Sequence, residues 1–505
     1  MFVCFEFSVI CESLERNAEA GQARRPVCDG VSHVAHTWVG ALSPARCRYS
    51  AGFATTPTLE GRSRMPHRVH PLPNDDRTNG WSALLPPRPP TPSLTGEWDA
   101  DWVIIGAGYA GLAAARRLAE QQPHASIAVV EAGVVGENAS GRNSGFAIDL
   151  PHAPESSPAS IGRGRDAIRV NRFAIAALDR LIAEHGIECG WRQDGRYHAA
   201  VTSEGADRSL RAYAANLDAW GEPYQWLPRP ALQERLGTGY YAAAIHTPGT
   251  WLMNPAALVR GLADSLPPQV RLFERSPVVE AQFDGAAQFV RTEHGRIRFG
   301  KAILAVNAFS QSFGIYRERQ VPMLLFASLS EPLNDAQLAL LGSDSSWGIT
   351  PAHGVAGSTL RLTPDRRLMI RQGFEYSPTL RTTEHRRAAA AAMHRQLLLR
   401  RFPQLGAIEL AHFWMGWLAI SQNHAPAFGQ VADHVYAVSC CNGSGVVRHT
   451  AAGMLIADLA LGERHPLTDD FLVQGTANYL PPRPLRDLGI GLTLKWETWR
   501  GRAER

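Results

Sequence analysis

Lysine is almost missing from this chain. Of its 51 lysine and arginine residues only two are lysines, Lys301 and Lys495. The net charge is +4 over 505 residues, too small to point to a nucleic-acid or acidic-membrane partner. The scarcity excludes something local instead: chemistry that needs an amine side chain has two places to find one. CxxC spacing is absent too. Cys4, Cys11, Cys28, Cys47, Cys189, Cys440 and Cys441 are scattered, which signals neither a zinc site nor a redox pair. Their odd number reads as reduced thiols in a cytoplasmic protein. No apolar run approaches the roughly 20 residues of a membrane helix. The opening "MFVCFEFSVICESLER" has acids in and around its apolar stretch and no basic leader, so it is a poor export signal. No internal repeat is visible, and no Ser/His/Asp or paired-carboxylate constellation stands out.

Residues 1–96 are rich in Arg, Pro, Ser and Thr and carry little periodicity. "LLPPRPPTPSLTGEW" (84–98) reads as an extended, proline-stiffened lead-in. The whole segment is expected to be a disordered extension, with Met65 as a candidate native start. Order is expected from Asp99. "DWVIIGAG" is a buried strand and "GLAAARRLAEQQP" an amphipathic helix stopped by Pro123. "SIAVVEAG" is a second strand, a helix covers about 165–187, and "RSPVVEAQFD" and "RIRFGKAILAVNAFS" are strand-like. A helix near 384–401 follows, then the strand "ADHVYAVSC", the turn "CNGSG" and the helix "VVRHTAAGMLIADLALG". Alternating strands and helices at both ends of this region predict an α/β fold with a parallel sheet.

Gly106, Gly108 and Gly111 fill G-x-G-x-x-G between a strand and a helix. The first glycine permits the tight turn, the second lets backbone approach a pyrophosphate, and the third lets helix pack on strand. The helix N-terminus then presents free N–H groups to phosphate. Glu131 lies 20 residues past Gly111 at the end of the next strand, where a carboxylate accepts from ribose hydroxyls and disfavours NADP. This establishes a dinucleotide site without choosing the dinucleotide. The next segment, "EAGVVGENASGRNSGF" (131–146), replaces an ordinary strand–helix unit with small polar residues. Such a loop suits backbone laid flat against a large planar group.

The glycine fingerprint, Glu131, "ASGRNSG", "AILAVNAFS" (302–310) and "CNGSGVVRHTAAGMLIADLALG" (441–462) together resemble the D-amino-acid-oxidase-like FAD-dependent oxidoreductases. That group includes glycine and sarcosine oxidases, D-amino-acid dehydrogenases and γ-glutamylputrescine oxidoreductase. The resemblance covers about residues 97–465. It implies FAD as cofactor and a Rossmann-like FAD-binding domain intertwined with an antiparallel-sheet (α+β) substrate domain. The FAD domain would use 97–200, 255–315 and 415–465, the substrate domain 201–254 and 316–414, with 466–505 a tail packed on the surface.

The resemblance also places residues. Gly106, Ala107, Gly108 and Gly111 would line the pyrophosphate and Glu131 would take the ribose. Ser140, Arg142, Asn143, Ser144 and Gly145 would run along the pyrophosphate and the isoalloxazine. Ser144 stands where many relatives have glycine. Val278 would touch adenine through its backbone, and Ala305 and Asn307 would approach the cofactor. Gly443, Ser444 and Gly445 would bring the N-terminus of the following helix to the flavin N1–C2=O edge, where a positive dipole end stabilises negative charge.

The implied chemistry is oxidation of an amine or amino acid C–N bond to an imine by hydride transfer to flavin N5. It requires the neutral amine and no dedicated general base. Arg361 sits where relatives place a carboxylate-binding residue, and its fork suits a bidentate contact. His424 is placed to border the flavin, and Trp251, Trp414 and Trp417 are read chiefly as core. The electron acceptor would be dioxygen or a quinone. Some relatives activate oxygen with a lysine; neither Lys301 nor Lys495 is suitably placed, so lysine is not expected to do so here. Two other readings stay open at this point: a nicotinamide dehydrogenase, which binds no chromophore, and a non-catalytic flavin-binding protein, which no amine reduces.

Overall fold

Strand Gly96–Ile105 starts polar and ends in four consecutive buried residues, Trp102 to Ile105. That gradient marks a strand that enters a sheet covered on both faces. The computed structural model describes residues 66–74, 76–151, 158–285 and 288–505. Among these residues Gly96–Ile105 lies at the centre of a nine-stranded sheet. Its parallel part runs in the order Val270–Phe273, Ile127–Val130, Gly96–Ile105, Gly295–Leu304, Val435–Ser439. Helix Tyr109–Gln121 buries an Ala/Leu face on this sheet. Helix Gly445–Leu461 is apolar around most of its circumference because it is packed among other elements on several sides. The two helices touch closely: a Cβ at Gly453 would lie 2.2 Å from the carbonyl oxygen of Ala110.

A second sheet of eight strands runs Leu410–Ile420, Val321–Ser330, Leu368–Tyr376, Thr359–Leu362, Trp347–Pro351, Arg196–Ala200, Ala243–Thr247, Gln225–Pro228. Every pair in it is antiparallel except Trp347–Pro351 with Arg196–Ala200. The mixed α/β architecture expected from the sequence is therefore present. Strand Leu410–Ile420 stays in the second sheet past position 414, where the cofactor domain was expected to resume. A period-two pattern shows that a strand exists but not which sheet receives it.

The lead-in differs from expectation over its described part. Residues 1–65 lie outside the described residues. Beyond them, His67–Arg68 pairs with the strand Glu280–Gln282, and the short helix Gly80–Ala83 buries Trp81. Arg88 donates to both carboxylate oxygens of the buried Glu274 at 2.9 Å. Residues 66–96 are thus a strap bound across the fold. Low periodicity concealed this, because a strap is held by individual side chains and not by a repeating face. In the tail, helix Leu485–Arg500 buries none of its residues, whereas Glu504 is buried and accepts from the backbone N–H groups of Val201 and Thr202.

Candidate functional site

The connections after the parallel strands meet at the carboxyl ends of those strands, where α/β sheets bind their ligands. Gly106 has φ +101°, and a Cβ there would lie 2.8 Å from the carbonyl oxygen of Ala305. A Cβ at Gly111 would lie 1.8 Å from the carbonyl oxygen of Gly106, so only glycine lets this helix start so close to its own turn. Ala305 N–H donates to Ile105. Two residues on, the Asn307 amide reaches Cys441 Sγ at 3.7 Å, and Ser439 Oγ donates to the Asn307 carbonyl at 3.0 Å. The turns at 106–111, 305–307 and 441–445 are therefore neighbours along one edge.

Neither helix N-terminus at this edge, at Gly108 and at Ser444, is capped by the side chain of its own cap residue, and neither first turn carries an acid. Such ends attract negative charge. A Cβ at Gly443 would meet nothing within 4 Å, so the turn opens onto free space. Asn307 Oδ1 is buried with no hydrogen-bond partner among the described residues.

Glu131 is buried between the phosphate turn and the segment after strand Val270–Phe273. Its oxygens accept from the N–H groups of Ala107 at 2.9 Å and Gly133 at 3.0 Å. Burial pushes its pKa up, and those two N–H bonds oppose the shift. The Asn138 side chain opposes it as well. Val278 is buried shortly after Ser276, whose N–H donates to the Glu131 carbonyl at 2.8 Å.

The loop 139–145 folds over the first turn. Tyr109 N–H donates to Ser140 Oγ at 3.3 Å. Asn143 ties its own loop, donating to the Ser140 carbonyl and accepting from Gly145 N–H. The guanidinium of Arg142 faces protein: it donates to the carbonyls of Glu137 and Met415 and pairs with Asp76 at 2.7 Å. The strap secures the same loop. Asn79 Nδ2 donates to the carbonyls of Gly136 and Gly141, and Trp81 Nε1 donates to that of Asn143 at 2.8 Å.

Arg361 lies beneath the loop. Its Nη1 donates to the carbonyls of Ser144, Gly145 and Met253 at 3.3, 3.1 and 2.6 Å. Its guanidinium stacks over Trp81 and Phe146, and burial pushes its pKa down to about 10. The resemblance puts a carboxylate-binding residue at Arg361; in the structure its Nη1 is taken up by the carbonyls of the loop and of Met253. His424 has φ +54°, and its carbonyl accepts from the Asn442 amide, which joins it to the 441–445 turn. Burial, then Arg448, lowers the pKa of its ring. Trp414 is core, set edge-on to Trp81, and Trp251 stacks on Trp191.

A family model described as FAD dependent oxidoreductase matches residues 101–459. The chain belongs to that family. Its cofactor is FAD, and the acid-free helix ends, the open turn at Gly443 and the buried Asn307 oxygen suit a large anionic ligand with a polar ring edge. The nicotinamide alternative is set aside. The chain is 27% identical over 393 residues to the probable oxidoreductase OrdL of Haemophilus influenzae, covering 75% of this chain and 86% of that protein. It is 25% identical over 386 residues to gamma-glutamylputrescine oxidoreductase of Escherichia coli, covering 74% and 86%. Glycine oxidase from Geobacillus kaustophilus shares the fold at a TM-score of 0.63, with 20% identity, 76% of this chain and all of that one covered. Among the described residues no helix is long and apolar enough to cross a membrane.

Sequence reasoning missed Asp76, Asn79 and Trp81. All three sit in "DDRTNGW", whose one legible signal was an asparagine before a short helix.

Proposed function

We propose that this flavoenzyme oxidises the C–N bond of an amine or amino acid to an imine, which water hydrolyses. The observation that carries the reading is a partly open patch of the second sheet beside the loop 139–145. Leu325, Phe374, Gly416 and Leu418 are all partly exposed there, and register pairs Leu325 with both Phe374 and Gly416. Gly416 packs on Arg142, a Cβ on it falling 3.7 Å from the Arg142 Cβ. A small substrate held on this patch lies against the loop and next to the two glycine turns.

When bound, FAD supplies a two-electron acceptor for the hydride that leaves the substrate carbon. The protein's part is to hold and orient. Backbone at Gly106, Ala107, Gly108 and Gly111 cradles the pyrophosphate, Glu131 takes the ribose and Val278 borders adenine. Ser140, Asn143, Ser144 and Gly145 lie along the cofactor, while Arg142 acts through the loop it pins. Ala305, Asn307 and the turn Gly443, Ser444, Gly445 close the other side. His424 borders the ring, and apolar neighbours on the patch keep a bound amine neutral by disfavouring its charged form. The acceptor is dioxygen or a quinone, without help from lysine. The described cysteines Cys189, Cys440 and Cys441 are buried free thiols, which supports residence in the reducing cytoplasm.

An anaerobic titration of the purified yellow protein with a panel of amines and amino acids tests the reading. Bleaching of the flavin absorbance by at least one of them is the expected result. Bound flavin that no amine reduces would leave a non-catalytic flavoprotein.

A further inference from the structure

Five of the nine large apolar side chains that the described residues leave exposed stand on one helix. Leu485, Leu488, Leu492, Trp496 and Trp499 are 47–68% exposed and lie three or four positions apart along Leu485–Arg500, so they form a single stripe. The helix is inverted relative to an ordinary surface helix. Its half-buried side carries Arg486, Asp487, Ile490, Leu494 and Glu497, and the charges of that side are taken up by the protein. Tyr376 donates to Asp487 at 2.7 Å, Arg486 donates to the Arg317 carbonyl at 2.7 Å, and Glu497 faces His353 at 3.4 Å. Just past the helix, a Cβ on Gly501 would fall 2.6 Å from the Ala356 Cβ, and Glu504 is buried. Fastened at both ends, the helix holds its stripe away from the fold. A contiguous apolar strip of this kind marks a binding surface.

Lys495, Arg500 and Arg502 border the stripe. Lys495, one of the chain's two lysines, is exposed three positions after Leu492 and four before Trp499. Arg500 stacks over Trp496 and reaches Glu497 only at 3.8 Å, and Arg502 stacks over Trp499. The outward face thus joins Leu and Trp to positive charge, while the acids Asp487 and Glu497 lie on the half-buried side. Indoles suit the boundary between an apolar and a wet phase, and long cationic side chains lay their stems on apolar surface with their heads in the polar layer. That combination complements the headgroup region of an anionic bilayer. The charge is local, so the small net charge of the whole chain conceals it. A second copy fits less well. The strip is about 24 Å long and one helix, about 10 Å, wide, far short of the roughly 800 Å² that each partner of a stable dimer buries. A lipid surface sets no such minimum, since each inserted side chain adds to partitioning.

We propose that helix Leu485–Arg500 is an interfacial anchor that lays the protein on an anionic lipid surface, its Leu and Trp stripe inserted beneath the headgroups and Lys495, Arg500 and Arg502 at the phosphates. The helix lies on the bilayer and does not cross it. The anchor is independent of the reaction proposed above.

The test is co-sedimentation of the flavin-loaded full chain with vesicles of mixed phosphatidylcholine and phosphatidylglycerol, and with vesicles of phosphatidylcholine alone, at low salt. The wild type is expected to pellet with the mixed vesicles and to need at least about fivefold more lipid when phosphatidylglycerol is left out. Trp496→Ser combined with Trp499→Ser raises the lipid needed for half-maximal binding by at least about tenfold. Lys495→Gln raises it by about fivefold, and on the mixed vesicles only. These side chains are exposed, so Tm and flavin content should stay at wild-type values. Should the double variant lose its flavin, Leu492→Ser is read instead, with a rise of about fivefold expected. A wild type that stays in the supernatant with both kinds of vesicle, or a stripe variant that binds mixed vesicles as tightly as the wild type, overturns the proposal. So does a wild type that ignores vesicles and dimerises in sedimentation velocity until the stripe is substituted, which assigns the stripe to a second copy.

Discussion

Asp76 and Arg142 stand 66 positions apart in the chain and meet at 2.7 Å. Arg387 closes on the other oxygen of Asp76, also at 2.7 Å. One carboxylate thus joins the strap, the cofactor loop and the helix Glu384–Arg401. Asp76→Ala leaves two largely buried arginines facing each other, at a cost of about 3 kcal/mol. The expected outcome is a lower Tm and faster release of FAD, read as the rise of free flavin fluorescence on warming. The arginines hold the Asp76 carboxyl far below the ordinary carboxylate range. Its contribution is complete above about pH 4, where an unfolded aspartate is ionised, and is lost as pH falls below that. Asp76→Asn should flatten this acid limb of a stability–pH profile.

Three buried histidines set a second pH dependence. Burial pushes His198 down to about 3 and both His394 and His449 to about 4. The unfolded chain takes up these protons near pH 6.5 and the folded one does not, so stability falls as pH drops from about 6.5 towards 4. His394 bridges Ser328 Oγ and the Gln372 carbonyl. His394→Gln should lose stability at pH 7 but show a shallower slope between pH 6 and 4, measured by urea unfolding.

Gly145 has φ +74°, and a Cβ on it would fall 2.2 Å from Arg361 Nη1 and 2.3 Å from the Met253 carbonyl. Gly145→Ala is expected to displace the loop and cost about 2–3 kcal/mol. Retention of FAD through gel filtration checks it, and an alanine variant that stays fully loaded and equally stable would contradict the geometry.

Lys301 Nζ donates to the Ala460 carbonyl at 2.8 Å and stacks over Trp102. Ala460 is 15 residues from Gly445 along one helix, a span of about 22 Å. Lys301→Met should therefore leave flavin reoxidation by air unchanged in stopped flow, while lowering stability by at most about 1 kcal/mol.

The parallel sheet was legible because its information is periodic. "WVII" and "VYAV" are short apolar runs followed by glycine turns, the order expected of a buried strand that leads into a loop. The helix Glu384–Arg401 was read at its observed bounds in "EHRRAAAAAMHRQLLLR", and the structure caps it with the Thr383 side chain. Helix Pro158–His185 starts well before its expected beginning. Gly162 and Gly164 masked the start, and what sustains it there is non-local, the Trp220 indole donating to the Ile161 carbonyl. The same limit applies to Arg361, since sequence does not tell that its guanidinium finds three carbonyls. The strap was the largest omission, since its bonds are single contacts made across long chain separations.

The span matched by the family begins at residue 101, downstream of Asp76, Asn79 and Trp81. A recombinant fragment trimmed to that shared span would keep every glycine of the nucleotide fingerprint and lose the fastening of the loop beside it. Such a fragment is expected to purify colourless, because the matched span starts inside the structural unit that holds the loop.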